Sequence, residues 1–252
     1  MKKVLITGMS GLIGGILRRH LEELGGYELS ALNRRPVDGV ECFQADIADF
    51  EAIKPAFVGK DVVVHLSAYV DEVDDWNGNL SGNIIGVHNV YEAARLAGVK
   101  RVVFASSGNA ISGIQRFPPY DAIAEGRYED VPEGFPKVTH EMVHPKSVYG
   151  AAKAWGEALG RHFADQYGLS VLCVRIGAVR KEDRPRLVPW ENSVYLSHRD
   201  IAQMLERCIN APDDLLYDIF FALSDNKWAY RDLEHPREVL GYVPQDSADV
   251  FE

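Results

Sequence analysis

Thr7-Gly8-Met9-Ser10-Gly11-Leu12-Ile13-Gly14 follows the apolar run Val4-Leu5-Ile6. It opens a stretch in which Leu12, Ile13, Ile16, Leu17, Leu21 and Leu24 recur at helical spacing. A glycine trio alone is weak evidence. Between an apolar strand and an amphipathic helix it marks a turn built to hold a pyrophosphate. The glycines permit the tight turn and the close backbone approach, and the N–H groups and dipole of the new helix face the anion. Gly8, Ser10, Gly11, Leu12, Ile13 and Gly14 are therefore candidate dinucleotide contacts.

Working outward, residues 29–33 and 40–44 read as a second and third strand, and 50–58 as a short helix. Residues 61–66 read as a strand, 82–97 as a helix stopped by Gly98, and 101–106 as a fifth strand. Strands that are apolar throughout, separated by helices, indicate a parallel sheet covered on both faces. The fold class expected is α/β, a Rossmann-type doubly wound sheet with its ligand beyond the carboxyl ends of the strands. Residues 113–147 break the rhythm with Pro118, Pro119, Pro132, Pro136 and Pro145, as a lid or substrate-facing insertion does. A helix over 148–167 and a strand over 169–176 restore it. A helix over 199–210 and a strand over 217–222 follow in a more irregular tail. We expect a single unit, residues 1–176 mainly dinucleotide-binding and 177–252 mainly a small substrate-side lobe.

Lys and Arg number 27 against 37 Asp and Glu, a net charge of -10. That balance argues against a nucleic-acid partner, whose phosphates need an excess of cations. Cys42, Cys173 and Cys208 are odd in number and far apart, so neither a disulfide framework nor a cysteine zinc site is expected. The apolar run after Met1-Lys2-Lys3 is too short for a signal peptide, and no run of about 18 apolar residues occurs. A cytoplasmic location without membrane contact is expected, where the sequon Asn79-Leu80-Ser81 is inert.

An NAD enzyme places a carboxylate at the end of the second strand to hold the ribose hydroxyls. Here Asn33, Arg34 and Arg35 stand there instead. Two guanidinium groups suit a 2′-phosphate, so the cofactor reading is NAD or NADP with a lean to NADP. Tyr149 and Lys153, at i and i+4, share a helix face, and a neighbouring ammonium lowers a phenol's pKa towards that of a working base. Ser106-Ser107 closes the fifth strand at the ligand rim.

Taken together, the glycine turn, Ser107 and Tyr149-Gly-Ala-Ala-Lys153 resemble the extended short-chain dehydrogenase/reductase superfamily, the NAD-dependent epimerase/dehydratase group. The resemblance runs through almost the whole chain. It implies an enzyme in which Tyr149 is the acid/base, Lys153 tunes it and bonds the nicotinamide ribose, and Ser107 orients the reacting hydroxyl or carbonyl. It assigns Asp46 and Ile47 to the adenine, and Leu66, Ser67 and Ala68 to the wall beside the dinucleotide, with Ile176 also on the cofactor.

Within that group the chain is similar to uronate dehydrogenases, through Asn83-Ile-Ile-Gly86, Phe104-Ala-Ser-Ser107 and Val174-Arg-Ile-Gly177. The likeness implies oxidation at C1 of a cyclic uronic acid or aldose to its lactone, with Ser107, Asn109 and Arg175 on the substrate and Arg175 on a carboxylate. It also implies a carbohydrate-like substrate and a homo-oligomer. The chain departs from the pattern where Ser-Asn-His becomes Ser107-Gly108-Asn109, near Tyr69-Val70, and in its longer 113–147 segment. The alternative reading is a nucleotide-sugar epimerase or dehydratase that keeps NAD bound; the short tail counts against it.

His140-Glu141-Met142-Val143-His144 matches the HExxH pattern of zinc proteases, but Pro136 and Pro145 deny it the helix that pattern needs. No metal is expected. His65 reads as a packed core residue, and Trp190, Trp228 and Tyr230 as aromatic packing.

Overall fold

The computed structural model describes residues 1–186 and 188–251. Seven strands form one parallel sheet: β1 (Lys2–Thr7), β2 (Tyr27–Asn33), β3 (Glu41–Gln44), β4 (Val62–His65), β5 (Arg101–Ser107), β6 (Ser170–Ile176) and β7 (Tyr217–Ala222). Their order, β3-β2-β1-β4-β5-β6-β7, reverses direction between β1 and β4. That crevice, outside the carboxyl ends of two neighbouring strands, is where such a sheet takes its ligand. The Rossmann-type doubly wound fold is thereby established.

The helices are α1 (Leu12–Leu24), α2 (Phe50–Ile53), α3 (Trp76–Gly78), α4 (Gly86–Leu96), α5 (Tyr120–Glu125), α6 (Val148–Tyr167), α7 (Pro189–Asn192), α8 (His198–Ile209) and α9 (Glu234–Leu240). α1 and α8 cover one face, burying Ile16, Leu17, Leu21, Ile201, Met204 and Leu205 against Val4, Ile6, Val103 and Leu172. α4 and α6 cover the other, where Val87, Val90, Tyr91 and Phe163 meet Leu5, Val63, Val102 and Val171. Strands sandwiched this way have no wet face, which is why their sequences lack apolar/polar alternation.

Several expected boundaries shift. The helix expected over 82–97 begins earlier: α3 runs through a π-helical segment, Asn79–Ile85, into α4. Asp75 caps its start by accepting from the Asn77 and Gly78 N–H groups, a signal that periodicity does not carry. The helix expected over 50–58 is α2 followed by a 3₁₀ turn, Lys54–Phe57.

Residues 113–147 are ordered rather than a bare loop. They carry α5 and a small apolar cluster of their own, in which Ile111, Tyr120, Ile123 and Val138 pack with Phe221, Leu223, Ala229 and Tyr230. Residues 177–252, expected mainly on the substrate side, divide their contribution. β7 extends the main sheet and α8 covers it, while 223–231 join the insertion over the rim. No described helix is long and apolar enough to cross a membrane.

Candidate active site

The turn between β1 and α1 is shaped for a ligand. Gly8 sits at φ 73, a left-handed conformation that side chains rarely adopt, and a Cβ there would stand 2.9 Å from the Ser67 nitrogen. A Cβ on Gly14 would fall 2.5 Å from the Gly8 carbonyl oxygen and 2.6 Å from the Met9 Cα, so the helix start lies directly on the turn. No side chain caps α1 at Gly11, which leaves its first N–H groups without intrahelical partners. Asn33 donates to the Ser10 hydroxyl at 2.6 Å, and its buried Oδ1 has no hydrogen-bond partner. An uncapped helix start and a cradle that a Cβ would fill fit a dinucleotide phosphate, while the orphaned amide oxygen is an acceptor suited to a hydroxyl or amine of the same cofactor.

Around this turn stand the other expected cofactor residues. Leu66, Ser67 and Ala68 leave β4 across the crevice, with Ser67 pressed on Gly8. Asp46 accepts from the Ala48 N–H at 2.9 Å, and Ile47 is buried against α4 beneath Gly86. Arg34 and Arg35 are exposed beyond the end of β2, and no carboxylate pairs with either among the described residues. Ile176 ends β6 opposite Ser107.

The second half of the site lies one crossover away. β5 places Ser106 and Ser107 on opposite faces, and the structure distinguishes them. Ser106 is buried and donates to Glu157 at 2.5 Å, whereas the Ser107 hydroxyl stands at the rim, accepts from the Asn109 N–H at 3.1 Å and faces the Tyr149 phenol. α6 begins at Ser147, whose Oγ accepts from the Gly150 N–H. Two further bonds brace that start from outside: Val148 N–H to Asp74 Oδ1 at 3.0 Å, and Tyr149 N–H to the Val73 carbonyl at 2.8 Å. One turn along, Lys153 is buried, donates to the Ala105 carbonyl at 2.8 Å and lies 5.6 Å from the Tyr149 ring centre. Ser107, Tyr149 and Lys153 thus meet at one point.

Burial sets the charges here. It pushes the Lys153 amine down to about 7, against the opposing pull of Glu157. Burial also raises the Tyr149 phenol above its ordinary value, and the hydrogen bond from Ser107 offsets part of that rise. The expected lowering by the ammonium is not among the effects that set it; burial dominates. His65 lies beneath, held near 3 by burial and by the neighbouring Lys153. The Ser67 N–H donates to the Thr7 hydroxyl at 3.1 Å, and the same hydroxyl shares a 2.8 Å hydrogen bond with His65 Nδ1. As expected of a core histidine, it stays neutral.

Arg175 is a correction. Expected on a substrate carboxylate, it is fully buried, with Nε and Nη2 on Glu157 at 2.8 Å each and Nη1 on the Met142 carbonyl. Glu157 and Arg175 face each other across α6 and β6, so both arms of the fork are already taken. Asn109, expected on the substrate, lies beside Ser107, its N–H bonded to the serine hydroxyl oxygen and its Oδ1 accepting from Ser112.

The HExxH stretch forms no helix; His144 packs edge-on against Phe117, while His140 turns away to His235. His140, His235 and Asp218 do bring ligand-type atoms within 4.8 Å of one another. The two imidazoles are stacked, 3.9 Å apart and 15° from parallel, so their in-plane lone pairs do not converge on a common point. Trp228 stacks on Tyr128, and Tyr230 is buried against Tyr120, as packing predicts.

A doubly wound sheet with this turn and this Ser-Tyr-Lys centre defines an NAD(P)-dependent oxidoreductase of the short-chain dehydrogenase type. The model of the "NAD dependent epimerase/dehydratase family" matches residues 4–180, and the chain belongs to that family. It is 32% identical to the NAD-dependent glucose-6-phosphate dehydrogenase of Haloferax volcanii, over 98% of this chain and 95% of that protein. With the L-arabinose 1-dehydrogenase (NAD(P)(+)) of the same organism it shares 31% identity, over the full length of both. A mutated uronate dehydrogenase from Agrobacterium tumefaciens, solved with NAD, superposes with a TM-score of 0.82 at 31% identity, covering 100% of this chain and 87% of that one.

Proposed function

We propose that this protein is an NAD(P)-dependent sugar dehydrogenase that oxidises the C1 hydroxyl of a free sugar or sugar acid to its lactone. The observation that carries the reading is the meeting of Ser107 and Tyr149 at the rim, with Lys153 buried beneath them and fixed to the Ala105 carbonyl. The Ser107 hydroxyl orients the substrate hydroxyl, and the Tyr149 oxygen takes its proton as the C–H bond breaks. Lys153, fixed to the Ala105 carbonyl, holds Tyr149's helix face against β5 and carries the charge that changes with proton movement. The residues of the Gly8–Gly14 turn, with Asn33, would hold the dinucleotide, and nicotinamide when bound supplies the hydride acceptor. Names of the relatives above, dehydrogenases of glucose 6-phosphate, arabinose and uronates, support a sugar as substrate.

The cofactor favoured is NADP, because Arg34 and Arg35 are exposed at the end of β2 where no carboxylate stands. A homo-oligomer in the cytoplasm is the accompanying expectation, read by sedimentation of the purified protein and by fractionation of cells. The functional test is a screen of aldoses, uronates and sugar phosphates with NAD and NADP in parallel, followed at the reduced-nicotinamide absorbance. Turnover of a sugar with stoichiometric reduced cofactor is the expected result. Tightly bound dinucleotide with no net reduction would overturn the dehydrogenase reading in favour of an epimerase.

A further inference from the structure

Among the described residues three arginines are buried: Arg101, Arg175 and Arg231. In two of them every guanidinium nitrogen is engaged. Arg101 donates to Ser170 Oγ and to the carbonyls of Cys208, Ala211 and Pro212. Arg175 commits both arms to Glu157 and its third nitrogen to Met142. Arg231 differs.

It is 4% exposed, yet no carboxylate pairs with it among the described residues. Its Nη2 makes only two long contacts, 3.3 Å to the Gly108 carbonyl and 3.5 Å to the Tyr230 hydroxyl. Nε and Nη1 are shut from water and have no hydrogen-bond partner among the described residues. A guanidinium stays protonated, so the fold cannot relieve this arrangement by neutralising it. A buried charge with unused donors is costly and calls for an anion.

Its location says which anion. The guanidinium lies against Gly108, the residue directly after Ser107 at the carboxyl end of β5, and over the Phe221 ring of β7. A Cβ on Gly108 would collide with Nη1. Gly108 stands where the uronate dehydrogenase pattern has asparagine, and Arg231 takes up the volume that side chain would need. The polar group beside the catalytic serine is thus supplied from residue 231 instead of residue 108, and its character changes from amide to cation.

We propose that Arg231 receives an anionic group, a carboxylate or phosphate oxyanion, on the sugar whose hydroxyl is held by Ser107 and Tyr149. This rests on the sugar dehydrogenase reading and narrows it to sugar acids and sugar phosphates. The oxyanion displaces the two long contacts of Nη2 and engages the unused Nε or Nη1 donor.

The test compares wild type, Arg231→Met and Arg231→Lys with glucose 6-phosphate, glucuronate and glucose, measuring kcat and KM for each. Wild type is expected to prefer one or both anionic sugars, and which of the two it prefers identifies phosphate or carboxylate. Arg231→Met should raise KM for that sugar roughly ten- to a hundred-fold, the worth of a charged hydrogen bond. The rise in KM for glucose should be several-fold smaller than that for the anionic sugar, and the melting temperature should not fall, because an unpaired buried charge has been removed. Arg231→Lys should recover part of the loss, and the thermal shift given by the anionic sugar to wild type should vanish in the Met variant. Equal losses on anionic and neutral sugars, or a lowered melting temperature with the anionic preference intact, would overturn the proposal while leaving the dehydrogenase reading standing. Binding of dinucleotide without turnover of any sugar would instead remove that reading, and this inference with it.

Discussion

Two turns at the rim of the sheet, Gly8–Gly14 after β1 and Ser107–Ala110 after β5, are built on opposite plans. The first draws on consecutive residues and backbone donors, because every dinucleotide presents the same pyrophosphate. The second draws on Tyr149 and Lys153 from α6, on Arg231 from the far end of the chain, and on a brace from Asp74. Common chemistry is met locally; the selective part of the site is assembled across the fold. The paired arginines make the same contrast in miniature: Arg175 is neutralised by Glu157, and Arg231 is left with donors unused.

Tyr149→Phe tests the second turn hardest. It removes the proton acceptor and should lower kcat by about 10²–10⁴-fold. Dinucleotide affinity, followed by fluorescence titration, should hardly change, since the first turn is untouched. A parallel loss of cofactor binding would mean that the two turns do not work separately.

Arg175→Met separates architecture from recognition. Glu157 is left buried and unpaired, a loss of about 3–5 kcal/mol. At about 2–4 °C per kcal/mol for a chain of this size, thermal unfolding should move down by roughly 6–20 °C. The ratio of anionic to neutral sugar turnover should be unchanged in whatever folded protein remains. A selective loss on anionic sugars would restore Arg175 to the substrate.

Lys153→Met sharpens the electrostatics. With a folded pKa near 7 and an ordinary value of 10.5, the unfolded chain binds more protons than the folded one between those limits. Stability from this group therefore rises with pH across that window, and the full cost of the buried charge is present below 7. The melting temperature of the inactive Met variant relative to wild type should be highest near pH 6 and should decline by pH 9. A flat difference across that range would show that Lys153 is not desolvated.

The smallest effect is expected at the outer edge of the first turn. Replacing Arg34 or Arg35 by alanine should raise KM for NADP roughly five-fold each, the scale of an exposed ion pair of about 1 kcal/mol. KM for NAD should not move. Equal changes for both cofactors would sever these arginines from the 2′-phosphate.

Much of the fold was legible because strand and helix periods are local properties. β7 and α6 fall where the apolar pattern puts them, and the glycine turn needs only its flanks to be read. The start of α3 was not legible, since Asp75 caps a helix that apolar spacing does not extend. Among site residues, Ser107, Tyr149 and Lys153 were readable from spacing and resemblance. Arg231 was invisible: its neighbour Gly108 lies 123 residues away, and nothing in Tyr230-Arg231-Asp232 marks a buried cation. Gly108 in place of the pattern's asparagine was the one available sign that another group fills that space.

By itself the sequence determined the parallel sheet, and it pointed to a phosphate-binding turn and a Ser-Tyr-Lys centre, because each is encoded within a few residues or one helical turn. Tertiary structure alone decided the fate of the charges. Whether a guanidinium is a structural partner or a ligand receptor depends on which carboxylate reaches it across the core. Arg175 meets Glu157 and is neutralised; Arg231 meets no carboxylate among the described residues, and its unused donors lie beside Ser107.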